Sequence, residues 1–158
     1  MQELILLRHA HAEAAAAGQA DLDRPLSAVG QAEAEAAGRW LRDNHLLPDR
    51  VICSPARRTR ETLEAVLGQT GYIEQRLEER IYEAMPGGLI SLIEPHAEVE
   101  RLLLVGHNPG LEQLVALLNS GRTGDYRGMP PAAIAVLSLP TGTALEPGSA
   151  RLTQFWWP

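Results

Sequence analysis

The sequence predicts an α/β fold of three layers, α/β/α, with helices on both faces of a mostly parallel central sheet. Three observations carry this. ELILLR at 3–8, RVICS at 50–54 and RLLLVG at 101–106 are short, almost continuously apolar runs, the pattern of strands buried on both faces. The first two are followed by segments with helical periodicity behind a start signal, and the third by a helical pattern after Asn108-Pro109-Gly110. The chain then closes with two alternating runs, 131–139 and 150–157, that predict a hairpin across a turn at 140–148.

The elements follow in order. After the first strand, residues 12–24 read as a loop that can hold a helical turn. Ser27 is the expected N-cap of the first helix, whose inner face is predicted as Val29, Ala32, Ala36, Trp40 and Leu41. Ser54 followed by Pro55 predicts an N-cap with proline at the first helical position. Thr59, Thr62, Leu63, Val66 and Leu67 form the inner stripe of that second helix. Residues 71–77 alternate and predict a third strand, 78–88 a loop, and 89–94 a short helix. Leu111, Leu114, Val115 and Leu118 line the helix after the 101–106 strand.

A chain of 158 residues is expected to form one domain, 1–158. Hydrophobic residues at 45% and charged ones at 22% exclude a disordered class. No apolar run reaches the ~20 residues that span a bilayer, so no membrane partner is expected. The N-terminus lacks the pattern of a signal peptide, and the one cysteine, Cys53, fits a reducing compartment; both predict a cytoplasmic protein. The net charge of -6 argues against a nucleic-acid surface. All 14 basic residues are arginine. That excludes a Schiff-base lysine and a Walker A lysine.

The predicted strand ends carry the chemistry. The first ends in Arg8-His9, the second leads into Arg57, Arg58 and Arg60, and the 101–106 strand runs into His107-Asn108. Sites in open α/β sheets form outside the carboxyl ends of the strands, where helix N-termini add free N–H groups. The convergence of histidines and arginines predicts an anion site, with phosphate the first anion to test. Three readings compete. His9, His11 and His107 have the donor types for a metal, but neighbouring guanidiniums would repel the cation, so no metal is expected. Cys53 could be a thiolate nucleophile, but the arginine such chemistry needs six residues on is Thr59; a small core hydrophobe is the simpler reading. The third makes a neutral imidazole the nucleophile, a competent one at pH 7.

"LLRHAHAE", "SPARRTRET" and "LLLVGHNPGLEQL", together with "DRPLSAVGQAEAEAAGRWL" and "PPAAIAVLSL", occur in the order seen in the histidine phosphatase superfamily, the phosphoglycerate-mutase-like fold, which the chain resembles over nearly its whole length. Its short length and Ala10 resemble the small bacterial phosphohistidine phosphatases of the SixA type. The resemblance implies that His9 is the phosphorylated nucleophile, that Arg8 and Arg58 clamp phosphoryl oxygens, and that His107 contacts the phosphate, with the Asn108 backbone N–H as a further donor. Glu79 is the candidate general acid; the resemblance leaves open whether a chain of this size uses one. No cofactor is implied. The implied partner is a phosphorylated protein, a histidine-containing phosphotransfer domain, or alternatively a small phosphorylated molecule. A phosphomonoesterase, a mutase and a non-catalytic phosphate-binding module stand as rivals. A mutase must close its site against water, and no long lid segment is visible. His11 reads as pocket rim or polar loop, Arg57 as an entrance residue or a solvated charge, and His45, His96 and the aromatic C-terminus as structural. The oligomeric state is not legible.

Overall fold

The computed structural model describes residues 1–140 and 144–158; Thr141, Gly142 and Thr143, within the predicted 140–148 turn, lie outside the described residues. Six strands form one sheet: β1 (Glu3–Arg8), β2 (Arg50–Cys53), β3 (Glu74–Leu77), β4 (Arg101–Gly106), β5 (Ile134–Ser138) and β6 (Arg151–Trp156). Their order is β3-β2-β4-β1-β5-β6. The β3/β2, β2/β4 and β4/β1 pairs are parallel, whereas β5 runs antiparallel to β1 and to β6. The architecture is the predicted one: a mostly parallel sheet with an antiparallel hairpin at one side.

Burial alternates along the central strands. Leu4, Leu6, Ile52, Leu102 and Leu104 face a core completed by α3 (Pro86–Ile93) and α4 (Gly110–Ser120). Ile5, Leu7, Val51, Leu103 and Val105 face the opposite core, completed by α1 (Ala28–Asp43) and α2 (Arg57–Thr70). Both faces of β1 and β4 are therefore dry, which is why these runs read as continuous hydrophobe rather than as an alternation. Each buried Leu or Ile contributes about 1.5–3 kcal/mol.

Several element details differ from expectation. Ser27 does cap α1, accepting from the Gly30 N–H at 3.0 Å. The inner face of α1, however, is Gly30, Ala34, Ala37, Gly38 and Leu41, while Val29 is 64% exposed. The helix lies too close to its neighbours for larger residues: a Cβ on Gly38 would stand 2.9 Å from Val66 Cα. Glycine and alanine carry little hydropathy signal, so the apolar pattern placed Leu41 and the core-packed Trp40 but missed the small residues of the face. Helix α2 starts at Arg57 with Ala56 as N-cap, not at Ser54. The Ser54 hydroxyl is engaged with His107 instead. β3 is shorter than 71–77, the short third helix begins at Pro86 rather than at residue 89, and residues 79–81 form a 3-10 turn within the predicted loop. No helix among the described residues is long and apolar enough to cross a membrane.

Candidate active site

The parallel strands β2, β4 and β1 are neighbours, so their carboxyl ends lie on one edge of the sheet. Backbone bonds continue past the strands and fix their exits. His9 N–H donates to Gly106 O at 3.0 Å, Ser54 N–H to Val105 O at 3.1 Å, and Ala132 N–H to His9 O at 3.1 Å. Arg8-His9, Ser54 and His107 thereby leave the sheet side by side. The ring centroids of His9 and His107 are 5.4 Å apart.

The orientation of His9 follows from one contact. Its Nδ1 lies 2.7 Å from the Ala10 carbonyl oxygen, which can only accept, so Nδ1 carries the proton. Nε2 then bears the free lone pair. The next amide is held as well: Ala10 N–H donates to the buried Thr62 hydroxyl at 3.0 Å, and that hydroxyl donates to Arg58 O at 2.7 Å. Burial, and then the guanidiniums of Arg8 and Arg58, push the His9 pKa down to about 4. The imidazole is therefore neutral at physiological pH.

His107 is likewise pushed down, to about 3, by burial and by the proximity of His9 and Arg58. Its Nε2 is 2.7 Å from Ser54 Oγ. That hydroxyl accepts from Ala56 N–H at 3.4 Å and, through its second lone pair, from the His107 Nε2–H. His107 Nδ1 faces Arg58, whose nearest guanidinium nitrogen is 3.5 Å away and can only donate, so Nδ1 accepts and the His107 proton sits on Nε2. The ring of Tyr82 packs edge-on against His107 at 5.5 Å.

Arg58 is almost fully buried on the first turn of α2. It donates to the Asp21 carbonyl at 2.8 Å and to the Asp21 carboxylate at 3.0 Å. Arg8 donates to Met129 O at 2.9 Å, and the Asn108 side-chain amide donates to the same oxygen at 2.9 Å and to Glu112 at 3.2 Å. The Nε–H groups of both Arg8 and Arg58 are buried without a partner among the described residues. Unpaired buried donors are costly, and two charged ones at the same sheet edge are suited to a multiply charged oxyanion.

The structure thus brings Arg8, His9, Arg58, His107 and Asn108 to one edge. It does not tie Glu79 there: that residue is exposed on a 3-10 turn, with no side-chain hydrogen bond among the described residues. Arg57 is exposed and paired with Glu61 at 3.0 Å. His11 turns away to α1, its Nδ1 2.7 Å from Ser27 Oγ. Cys53 is fully buried, and burial pushes its thiol up to about 12. No cluster of three or more His, Cys, Asp or Glu side chains among the described residues could hold a metal ion.

Three contributors escaped the sequence reading. Asp21, on a one-turn 3-10 helix (Asp21–Asp23), bonds Arg58, Arg24 at 3.1 Å and Tyr82 Oη at 2.5 Å. The bond from Tyr82, then those from Arg24 and Arg58, hold its carboxyl well below the usual carboxylate range. Tyr82 and Ser54 complete the set. Asp21 lies 37 residues from Arg58 and 61 from Tyr82, so no local pattern marks it. The sequence presents Ser54 as a helix cap, and the structure gives its hydroxyl to His107.

Neutral imidazoles and arginines gathered over the carboxyl ends of parallel strands define a phosphoryl-transfer site. Comparison with known proteins gives the family: residues 4–100 match the histidine phosphatase superfamily (branch 1), and the chain belongs to it. It is a phosphatase with a histidine nucleophile. An uncharacterised protein of Mycobacterium tuberculosis is 40% identical over 151 residues, spanning 89% of this chain and 93% of the relative. A protein of Agrobacterium tumefaciens, provisionally assigned as the phosphohistidine phosphatase SixA, superposes with a TM-score of 0.86 at 33% identity, covering 99% of this chain and 98% of that one. One from Nakamurella multipartitia with the same provisional assignment gives 0.85 at 32%, covering 99% and 96%.

Proposed function

We propose that this protein is a phosphohistidine phosphatase that hydrolyses phosphohistidine on a signalling protein, such as a histidine-containing phosphotransfer domain, through a phosphoenzyme at His9. One observation carries the reading: the site holds a neutral imidazole with a bare Nε2, and the carboxyl group bonded to its clamping arginine has no proton to give up. The carboxylate bonded into the arginine cluster, Asp21, is held as an anion.

The chemistry fits a nitrogen leaving group. The His9 Nε2 lone pair attacks phosphorus in line as the P–N bond to the substrate imidazole breaks. That imidazole, protonated at its other nitrogen, departs neutral with the bonding pair. The bond made and the bond broken are of one kind, so no acid is required. Water then attacks the phosphohistidine, His9 leaves, and inorganic phosphate is released. Arg8, Arg58 and the Asn108 N–H hold the phosphoryl oxygens through both steps, with the His107 ring packed beside them. An alkoxide leaving group would need a proton, a contribution of about 10²–10⁴-fold.

The test compares kcat/KM for a phosphohistidine protein, aryl phosphates of graded leaving-group pKa, and sugar phosphates. The reading predicts a steep leaving-group dependence, with sugar phosphates at least ~10²-fold below phosphohistidine. Comparable rates on both would overturn it and favour a small-molecule phosphomonoesterase.

A further inference from the structure

Asp21 has an unusual place for an acidic residue in a phosphate site. It comes from the segment between β1 and α1, and its carboxylate is 48% exposed, yet it reaches the buried guanidinium of Arg58 at 3.0 Å. Arg58 in turn is 3.5 Å from His107 Nδ1. The carboxylate oxygen therefore stands within about 6.5 Å of that imidazole nitrogen, on the same guanidinium. The same oxygen accepts from Tyr82 Oη, and the other pairs with Arg24, the next arginine of this cluster. Arg57, beside Arg58 in sequence, is paired with Glu61. The two arginines flanking the clamp are thus already matched with carboxylates.

We propose that Asp21 is a specificity-determining residue: its carboxylate at the mouth of the clamp favours phosphoryl groups carried on a cationic leaving group and disfavours those with a second anion nearby. This rests on the phosphohistidine reading and names the substrate property that the site selects. A phosphohistidine imidazole carrying a proton presents its positive charge to Asp21. A phosphorylated hydroxy acid presents a carboxylate instead. At separations of about 6 Å with an effective dielectric near 40, each such interaction changes kcat/KM by about tenfold, in opposite directions for the two substrates.

The test uses Asp21→Asn, which keeps the shape and removes the charge at an exposed loop position. Its substrates are a phosphohistidine protein, phenyl phosphate and a carboxyphenyl phosphate. The expected result is a fall of about tenfold in kcat/KM on phosphohistidine, and a rise of about tenfold in the carboxyphenyl-to-phenyl ratio, both shrinking at high salt. Tyr82→Phe removes a hydrogen bond but no charge, and is expected to lower all three rates together with the ratio intact. If Asp21→Asn lowers all three substrates equally at every salt concentration, the residue only positions Arg58 and the proposal is overturned. That outcome leaves the phosphohistidine reading untouched, whereas sugar phosphates matching phosphohistidine in the wild type would overturn the reading itself.

Discussion

Replacing Gly30 by alanine sets two effects of opposite sign against each other. Gly30 lies on the first turn of α1, where alanine is normally the better helix former by up to about 1 kcal/mol. Here the added Cβ would meet the His11 carbonyl oxygen at 1.9 Å, with that residue's C and N at 2.9 and 3.0 Å. A Cβ needs about 3.0 Å, so the His11 backbone must move by about 1.1 Å. Overpacking of this kind costs about 1–3 kcal/mol. The same carbonyl accepts from the Ser27 N–H at 3.0 Å, a bond that the shift weakens at a further cost of about 1 kcal/mol. The net expectation is destabilisation by about 2 kcal/mol. His11 is two residues beyond His9, and a misplacement of about 1 Å at a reacting group lowers turnover by ~10²-fold. Urea unfolding and kcat/KM of Gly30→Ala measure both. Gly68→Ala is the control, since nothing lies within 4 Å of its added Cβ. It should keep full activity and gain stability. A Gly30→Ala protein that is as stable and active as the wild type would show that the contact with His11 constrains neither the helix nor His9.

Other outcomes follow from the same geometry. Thr62→Val strands the buried Ala10 N–H and should cost about 1–3 kcal/mol in urea unfolding, with activity lowered because that amide adjoins His9. Cys53→Ala should retain kcat/KM, and native Cys53 should resist iodoacetamide until the protein is unfolded; rapid labelling of the native protein would contradict its burial. Both site histidines have native pKa values below the ordinary 6.5, so below pH 6.5 the unfolded chain binds protons that the native state refuses. Stability should therefore fall as pH drops from about 6.5 toward 4, by up to about 1.4 kcal/mol per pH unit for each histidine, and His9→Asn/His107→Asn should flatten that slope.

How much of this was legible in the sequence depended on the kind of signal. β1 and β4 are buried on both faces and end abruptly in Arg8-His9 and His107, so hydropathy alone marked the strands and their polar exits. The sheet order then brought those exits together, as expected for parallel strands. On the inner face of α1, Trp40 and Leu41 are legible, but close approach to His11 and Val66 selects glycine and alanine elsewhere, which a hydropathy pattern does not count. Ser54 resembled a helix cap because Ser-Pro is a common start, but its hydroxyl serves His107. Asp21 was hidden most fully: it sits in an irregular segment, and its partners, Arg58 and Tyr82, come from other layers of the fold. Glu79 was proposed from resemblance, and its exposed, unbonded position explains why no physical feature of the sequence had singled it out.

The central claim is that the phosphoryl group passes through His9. Rapid quenching of the enzyme with a radiolabelled phosphohistidine substrate, followed by peptide mapping, tests it most directly. Acid-labile, alkali-stable label is expected on the peptide containing His9, lost in His9→Ala together with turnover. Label on another residue, or a His9→Ala protein that still turns over substrate at a near-normal rate, would contradict it.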